Sequence, residues 1–335
     1  MGLLAAFSAP VAAQQGPSKR AGYDSSYIEK QEQDLVLRLY GSRKFTRYTL
    51  GNYRAHEEVA YKPNSNLNSG IGFNYRSLGI NIGFKTPGIN EDNDRYGRTR
   101  YLDLQSYVYL RRFCIDFYLQ GYKGYYQPAE AQLLPFTNTG AVTAIRPDLS
   151  TRDLGADVEY LFRGDRFSYR AVYLQNERQL KSAGTPVVGA GVHYIYVKGD
   201  SALVPRIPAD EPIAGGFPFN RSTTASLSVR GGYAYTLVLD KRVFLMGSLL
   251  AGAGVSYVTL KSFATAAEEQ RFNLQLNGLV RLGAGFSSER YYAGVFFTTN
   301  LIHDDLPGHS GSWQEYETGL LRLAVARRLT LRPRH

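Results

Sequence analysis

Phe272, Leu274, Leu276, Gly278, Val280, Leu282, Ala284 and Phe286 alternate with Arg271, Asn273, Gln275, Asn277, Leu279, Arg281, Gly283 and Gly285. The first set is apolar throughout, and the second is polar or glycine except at Leu279. Successive side chains of a strand point to opposite faces, so this stretch predicts one long strand with a greasy face and a wet face. The same alternation separates Phe113, Ile115, Phe117 and Leu119 from Cys114, Asp116, Tyr118 and Gln120. It also separates Leu154, Ala156, Val158, Tyr160 and Phe162 from Gly155, Asp157 and Glu159. Continued along the chain, the pattern predicts strands at 67–76, 78–86, 101–111, 113–124, 152–163, 166–177, 185–198, 222–237, 242–260, 269–286, 290–302 and 315–329. Residues 243–258 carry no charge, yet the run is shorter than a membrane helix of about 20 residues and holds three glycines, so it too reads as a strand.

A soluble sandwich turns its apolar face inward, whereas an outer-membrane barrel turns it to lipid and lines its lumen with the polar, glycine-rich face. Many of these segments reach the roughly 9–11 residues that a tilted membrane strand needs. They are joined by short turns at Gly164-Asp165, 239–242 and 287–290. Tyr122, Tyr125, Tyr126, Tyr291 and Tyr292 stand at segment ends, where interface girdles of aromatic residues are expected. The expected fold is therefore all-β, a transmembrane antiparallel up-and-down β-barrel of about 12 strands, with 10–14 in range. One inconsistency remains in this map. Counting back from a periplasmic C-terminus sends the long connection 125–151 to the periplasmic side, which asks for a missing strand among 34–50 or 57–62, or for two predicted strands that are one.

Composition narrows the alternatives. A hydrophobic content of 44% with a mean hydropathy of −0.29 leaves no room for several helical spans, and a single Cys114 excludes a disulfide scaffold. The net charge of +10 is scattered, without a recognition helix, zinc-finger spacing or aromatic RNA-binding signature, so no nucleic acid partner is expected. Residues 1–9 are almost wholly apolar and Val11-Ala12-Ala13 offers small residues for a signal peptidase, although no basic region precedes them. The expected organisation is a truncated signal peptide at 1–13, an exposed leader at 14–33 with a helical turn near 27–33, and one barrel domain at 34–335. That places the protein in a Gram-negative outer membrane after export through the periplasm. Outer-membrane lipid, lipopolysaccharide and the barrel-assembly machinery are then the expected partners, and no cofactor is expected.

Seven blocks in order carry a resemblance: Tyr61-Lys62-Pro63-Asn64, LGINIGFK from Leu78, YGRTRYLDLQ from Tyr96, IDFYLQGYKGYY from Ile115, Ile145-Arg146-Pro147-Asp148, QNERQLKSAG from Gln175 and DSALVP from Asp200. Together they resemble an outer-membrane family found mostly in Bacteroidota and known as a domain of unknown function, DUF4421. The resemblance implies an exported outer-membrane barrel, and it brings no catalytic residue, ligand or partner.

The inward face of the predicted strands carries Asp103, Asp116, Asp157, Glu159, His193, Arg230, Arg271 and Arg281. Mixed charges of this kind either line a narrow, porin-like aqueous path or pair across the interior and seal it. A channel or small-molecule passage is the first functional expectation. A structural or surface-interaction barrel with a sealed lumen, using outer loops 88–99, 125–151, 199–221 and 303–314, is the alternative. An embedded hydrolase or a divalent-metal site is the third class, and its one candidate is His303, Asp304, Asp305 and His309 on a predicted outer loop, where imidazole and carboxylate can activate water or bind an ion. Catalysis is not the expected role, because no second half of a site accompanies those residues.

Overall fold

The computed structural model describes residues 4–7, 22–30, 34–54, 56–75, 78–86, 88–89, 92–129, 140–204, 217–265, 267–307 and 311–330. Its strands are β1 Leu4–Phe7, β2 Ile28–Lys30, β3 Asp34–Asn52, β4 Glu57–Tyr61, β5 Asn68–Tyr75, β6 Leu78–Lys85, β7 Arg100–Tyr109, β8 Phe113–Pro128 and β9 Val142–Leu161. They continue as β10 Glu177–Gln179, β11 Ala183–Lys198, β12 Phe219–Leu239, β13 Val243–Ser262, β14 Glu268–Ser287, β15 Tyr291–Asp305 and β16 Ser312–Thr330, with short helices α1 Asn93–Tyr96 and α2 Tyr169–Tyr173. All the strand pairings are antiparallel.

Twelve strands form the wall in the order β6-β5-β3-β16-β15-β14-β13-β12-β11-β9-β8-β7. The first long strand, β3, pairs with the last, β16, from Asp34↔Thr330 to Asn52↔Ser312. The seam of this wall falls between β6 and β7. Within that seam β1 pairs with β6 from Leu4↔Gly83 to Phe7↔Ile80, although it falls in the stretch expected to be an export signal. Side chains bridge behind the seam: Lys44 of β3 donates to the backbone oxygen of Asp103 on β7 at 2.7 Å, and Arg322 of β16 reaches the Tyr107 hydroxyl at 3.4 Å.

Alternation sets the faces of this wall. On β14, Phe272, Leu274, Leu276 and Leu282 are exposed while Asn273, Gln275, Asn277 and Arg281 are buried. From Leu274 to Phe286, twelve steps of about 3.3 Å at a tilt near 40° cover roughly 30 Å, the height of a bilayer's hydrocarbon core. The same outward apolar set recurs at Leu154 and Val158, Val192 and Tyr194, Leu227 and Val229, Leu249 and Val255, and Leu323 and Val325. No helix among the described residues is long and apolar enough to cross a membrane.

Two predicted elements were wrong, and their errors cancelled in the total. Residues 166–177, expected as a strand, contain α2 and the first residue of β10 and are folded inside the barrel. Phe167, Tyr169, Ala171 and Tyr173 recur with period two, but every face of this segment is buried, so period cannot distinguish strand from helix there. The Ser168 hydroxyl accepts from the Ala171 amide at 3.2 Å and caps the helix, and Gln175 with φ 58° ends it. The omitted strand is β3, within the stretch 34–50 already in question. With β3 added and 166–177 removed, 125–151 joins 86–99, 199–218 and 306–311 at one end. The turns 110–112, 240–242 and 288–290, and the adjoining ends of β5 and β6, then gather at the other.

The leader also departs from expectation. Residues 22–30 are not an exposed tail: Ile28 is buried and β2 pairs with β10, Ile28↔Gln179 to Lys30↔Glu177. Tyr122, Tyr125 and Tyr292, expected in lipid-facing girdles, are buried inside the barrel, and Tyr126 is buried against Tyr96 of α1; of that set only Tyr291 is exposed, at 53%. Clustering at strand ends fixes the height of a tyrosine but not its face.

Candidate functional site

The interior holds three stacked levels. At the loop end Tyr48, Tyr61, Tyr122, Tyr125 and Tyr316 pack with Ile195, Val197, Val258, Leu260 and Ile302. At the turn end the wall residues Tyr109, Cys114, Phe244, Met246, Tyr292 and Phe296 close around Phe167, Tyr169, Val172 and Tyr173 of the inserted segment. Between the two aromatic levels lies a ladder of ionised and polar groups.

That ladder begins at Asp103, which accepts from the Tyr122 hydroxyl, from Gln120 Nε2 at 2.9 Å and from Lys44 Nζ at 3.2 Å. Next is His193, with Nδ1 3.1 Å from Asp153 and Nε2 3.5 Å from Asp157. Arg230 pairs with Asp157 at 2.5 Å and donates to Asn300 Oδ1 at 3.2 Å. Closest to the turn end, Arg281 donates to Glu159 at 2.6 Å and to Asp116, with its guanidinium 5.3 Å from the centre of the Tyr169 ring. The mid-wall glycine Gly155 makes this stacking feasible, since a Cβ there would collide with the His193 imidazole.

The inserted segment is tied to the wall on several sides. Tyr169 donates to Ser248 Oγ at 2.6 Å, Tyr292 to the Val172 carbonyl at 3.0 Å, and Arg328 Nε to the Gln175 carbonyl at 2.9 Å. Glu177, wholly buried, pairs with Arg111 and lies 3.4 Å from Arg170. These four anchors reach β13, β15, β16 and the 110–112 turn, so the segment is a plug and not a loose loop. At the opposite end Lys62 is buried where the chain after β4 bridges to Tyr126 of β8. Burial, reinforced by Arg47 and Arg43, pulls its ammonium down to about 7.

Seven of the eight lumen candidates read from alternation converge here: Asp103, Asp116, Asp157, Glu159, His193, Arg230 and Arg281. Arg271 does not. It has the inward parity but lies at the loop-end extension of β14, above the filled lumen, and is exposed. The sequence reading missed Asp153, Lys44 and Asn300. Asp153 was legible, because it shares its parity with Gly155, Asp157 and Glu159, only one step beyond the segment considered. Lys44 and the plug were not legible, since nothing local says that a side chain or a turn is directed into the lumen.

The metal and hydrolase candidate does not assemble. His303, Asp304 and Asp305 are in β15 and not in a loop, so adjacent members point to opposite faces. His303 meets the Tyr53 hydroxyl at 2.6 Å and Glu315 at 3.4 Å, while Asp304 is buried against Ser256 and Gln275. His309 lies outside the described residues. Among the described residues there is no cluster of three or more histidine, cysteine or carboxylate side chains able to hold a metal.

The family described as Domain of unknown function (DUF4421) matches residues 22–306, from the docked leader to the loop after β15. No curated protein matches the chain in sequence. Among solved structures, the outer membrane protease OmpT from Escherichia coli is similar at 8% identity and a TM-score of 0.37, covering 90% of this chain and 98% of that one. The outer-membrane expressed OmpT of Vibrio cholerae gives 11% identity and a TM-score of 0.25, over 89% of this chain and 99% of that one. The P. putida toluene transporter TodX gives 8% and 0.22, over 90% and 91%.

Proposed function

We propose, from the premise that this chain belongs to the DUF4421 family, that it is a non-enzymatic outer-membrane barrel with a closed lumen, whose work is done at its two ends. The outward apolar belt supports the membrane location. Long connections at one end and short turns at the other support an orientation with the loops facing outside and the plug facing the periplasm.

The observation that carries the closed reading is the filling of the interior. The cavity between β7, β8 and the plug, beside Asp116, Tyr118 and Tyr173, measures ≈ 40 Å³, and the one beside Tyr48 and Asp304 measures ≈ 10 Å³. These spaces are suited to one or two waters, not to a solute path. The ladder between them is internally paired, so its charges hold one another and not a hydrated ion. This favours the structural and surface-interaction role over small-molecule passage.

In planar lipid bilayers the folded wild-type protein is therefore expected to give no conductance steps at voltages where a porin control opens. Reproducible discrete steps from protein that migrates as a folded band on an unheated gel would sink the closed reading.

A further inference from the structure

The lipid-facing wall has a feature that a sealed barrel does not need. Across the outer surface of β5, β3, β16 and β15 runs an apolar trough of ≈ 670 Å³, lined by Leu37, Leu39, Phe73, Phe286, Tyr291 and Val325, with Ala293 as a low point. A second hollow of ≈ 590 Å³ adjoins it towards the loop end, shares Leu39, Ile71 and Val325, and passes over Gly41. Both volumes fall within the range of about 300–1,000 Å³ of small-molecule ligand sites.

Charge caps one end of the trough only. Arg327 is part of its lining, exposed, with its guanidinium 5.9 Å from the centre of the Tyr291 ring. Arg290, also exposed, is held beside it by the bond from the Arg328 amide to the Arg290 carbonyl at 2.8 Å. Neither arginine makes an ion pair with a described residue, and Glu289, next in the turn, is paired with neither. The wider turn end has the same sign: Arg112, Arg163, Lys241 and Arg242 are exposed there, against Asp240 and Glu289. Tyrosine beside arginine, below an apolar surface, is the arrangement expected at the level of lipid phosphates.

We propose that this trough is a site for an anionic phospholipid of the membrane leaflet at the turn end, with the acyl chains along Leu37, Leu39 and Val325 and the phosphate on Arg327 and Arg290. The proposal rests on the membrane reading above. Two cations at a membrane surface correspond to a preference of roughly ten- to thirty-fold for the anionic head group.

The test is native mass spectrometry of the barrel released from nanodiscs of mixed phosphatidylcholine and phosphatidylglycerol, counting retained lipids. Wild type is expected to retain phosphatidylglycerol about ten- to thirty-fold above its share. Arg290→Glu with Arg327→Glu is expected to abolish that enrichment, and Lys241→Glu with Arg242→Glu, on another turn, to leave it intact. Ala293→Trp, which fills the trough without changing charge, is expected to lower retention of both lipids. Equal loss in both charge variants overturns the site, because it assigns the retention to diffuse charge. Insertion into the nanodiscs without enrichment overturns the site alone, whereas failure to enter them at all overturns it together with the membrane reading.

Discussion

Arg281→Met is expected to cost the folded barrel about 3–5 kcal/mol, the usual loss when one partner of a buried ion pair is removed. Arg281 is 1% exposed and is the cation shared by Glu159 and Asp116, so its removal leaves two carboxylates inside the barrel without a counter-charge. The signature lies in the rescue. Arg281→Met combined with Asp116→Asn and Glu159→Gln removes the charges with their cation and is expected to recover most of the loss. The folded fraction against urea, read from gel migration without heating, gives both numbers. A single variant within about 1 kcal/mol of wild type would show that the cluster is wet and screened.

Tyr169→Ala with Tyr173→Ala is expected to uncork the turn end while leaving the wall standing. Each ring is almost completely buried and together they occupy the space between Tyr109, Phe296 and the Arg281 cluster. Truncating a buried aromatic costs about 3–5 kcal/mol, and two touching rings share part of that cost. The plug should detach locally before the wall unfolds, because its own hydrogen bonds to the wall are few beside the ladders of a long strand. Cys114, packed in the same cluster, then becomes reachable by a small thiol reagent in folded protein. Bilayer conductance should stay absent, since Tyr48, Tyr122 and Tyr316 still close the loop end. Unchanged stability and a still hidden Cys114 would mean that the plug does not hold the turn end closed.

Much of this was legible from residues taken two at a time. Leu274 and Leu276 against Gln275 and Asn277 predict both the strand and its faces, because a barrel wall enforces period two over its whole height. Facing alone assigned eight charged residues to the lumen from the sequence, and seven of them are there; height, which facing does not carry, excludes Arg271. What alternation does not carry is a third dimension. It cannot tell that Tyr122 and Tyr125 of β8 point into the lumen and not to a lipid interface, nor that the stretch after Phe162 turns inward. His303 and Asp304 looked like one site because they are adjacent in the chain, yet adjacency in a strand is what separates side chains. The +10 net charge acquires a place as well. Exposed cations outnumber exposed acids at the turn end, while at the loop end exposed cations such as Arg54 and Arg95 are mixed with acids such as Glu58 and Asp94, and Arg146 is matched by Asp148 at 2.8 Å and Lys261 by Glu268 at 2.9 Å.

The central claim is a lumen closed to water, and the chain contains one cysteine with which to test it. Cys114 lies on the inward face of β8, opposite Glu159 on β9, and is 1% exposed between the plug and the charge ladder. Folded wild-type protein, reconstituted in lipid and treated with a small, membrane-impermeant thiol reagent, is predicted to remain unlabelled until denaturant unfolds it, and then to label fully. Rapid labelling of the folded barrel would mean that water reaches the level of Arg281, and would contradict the sealed lumen.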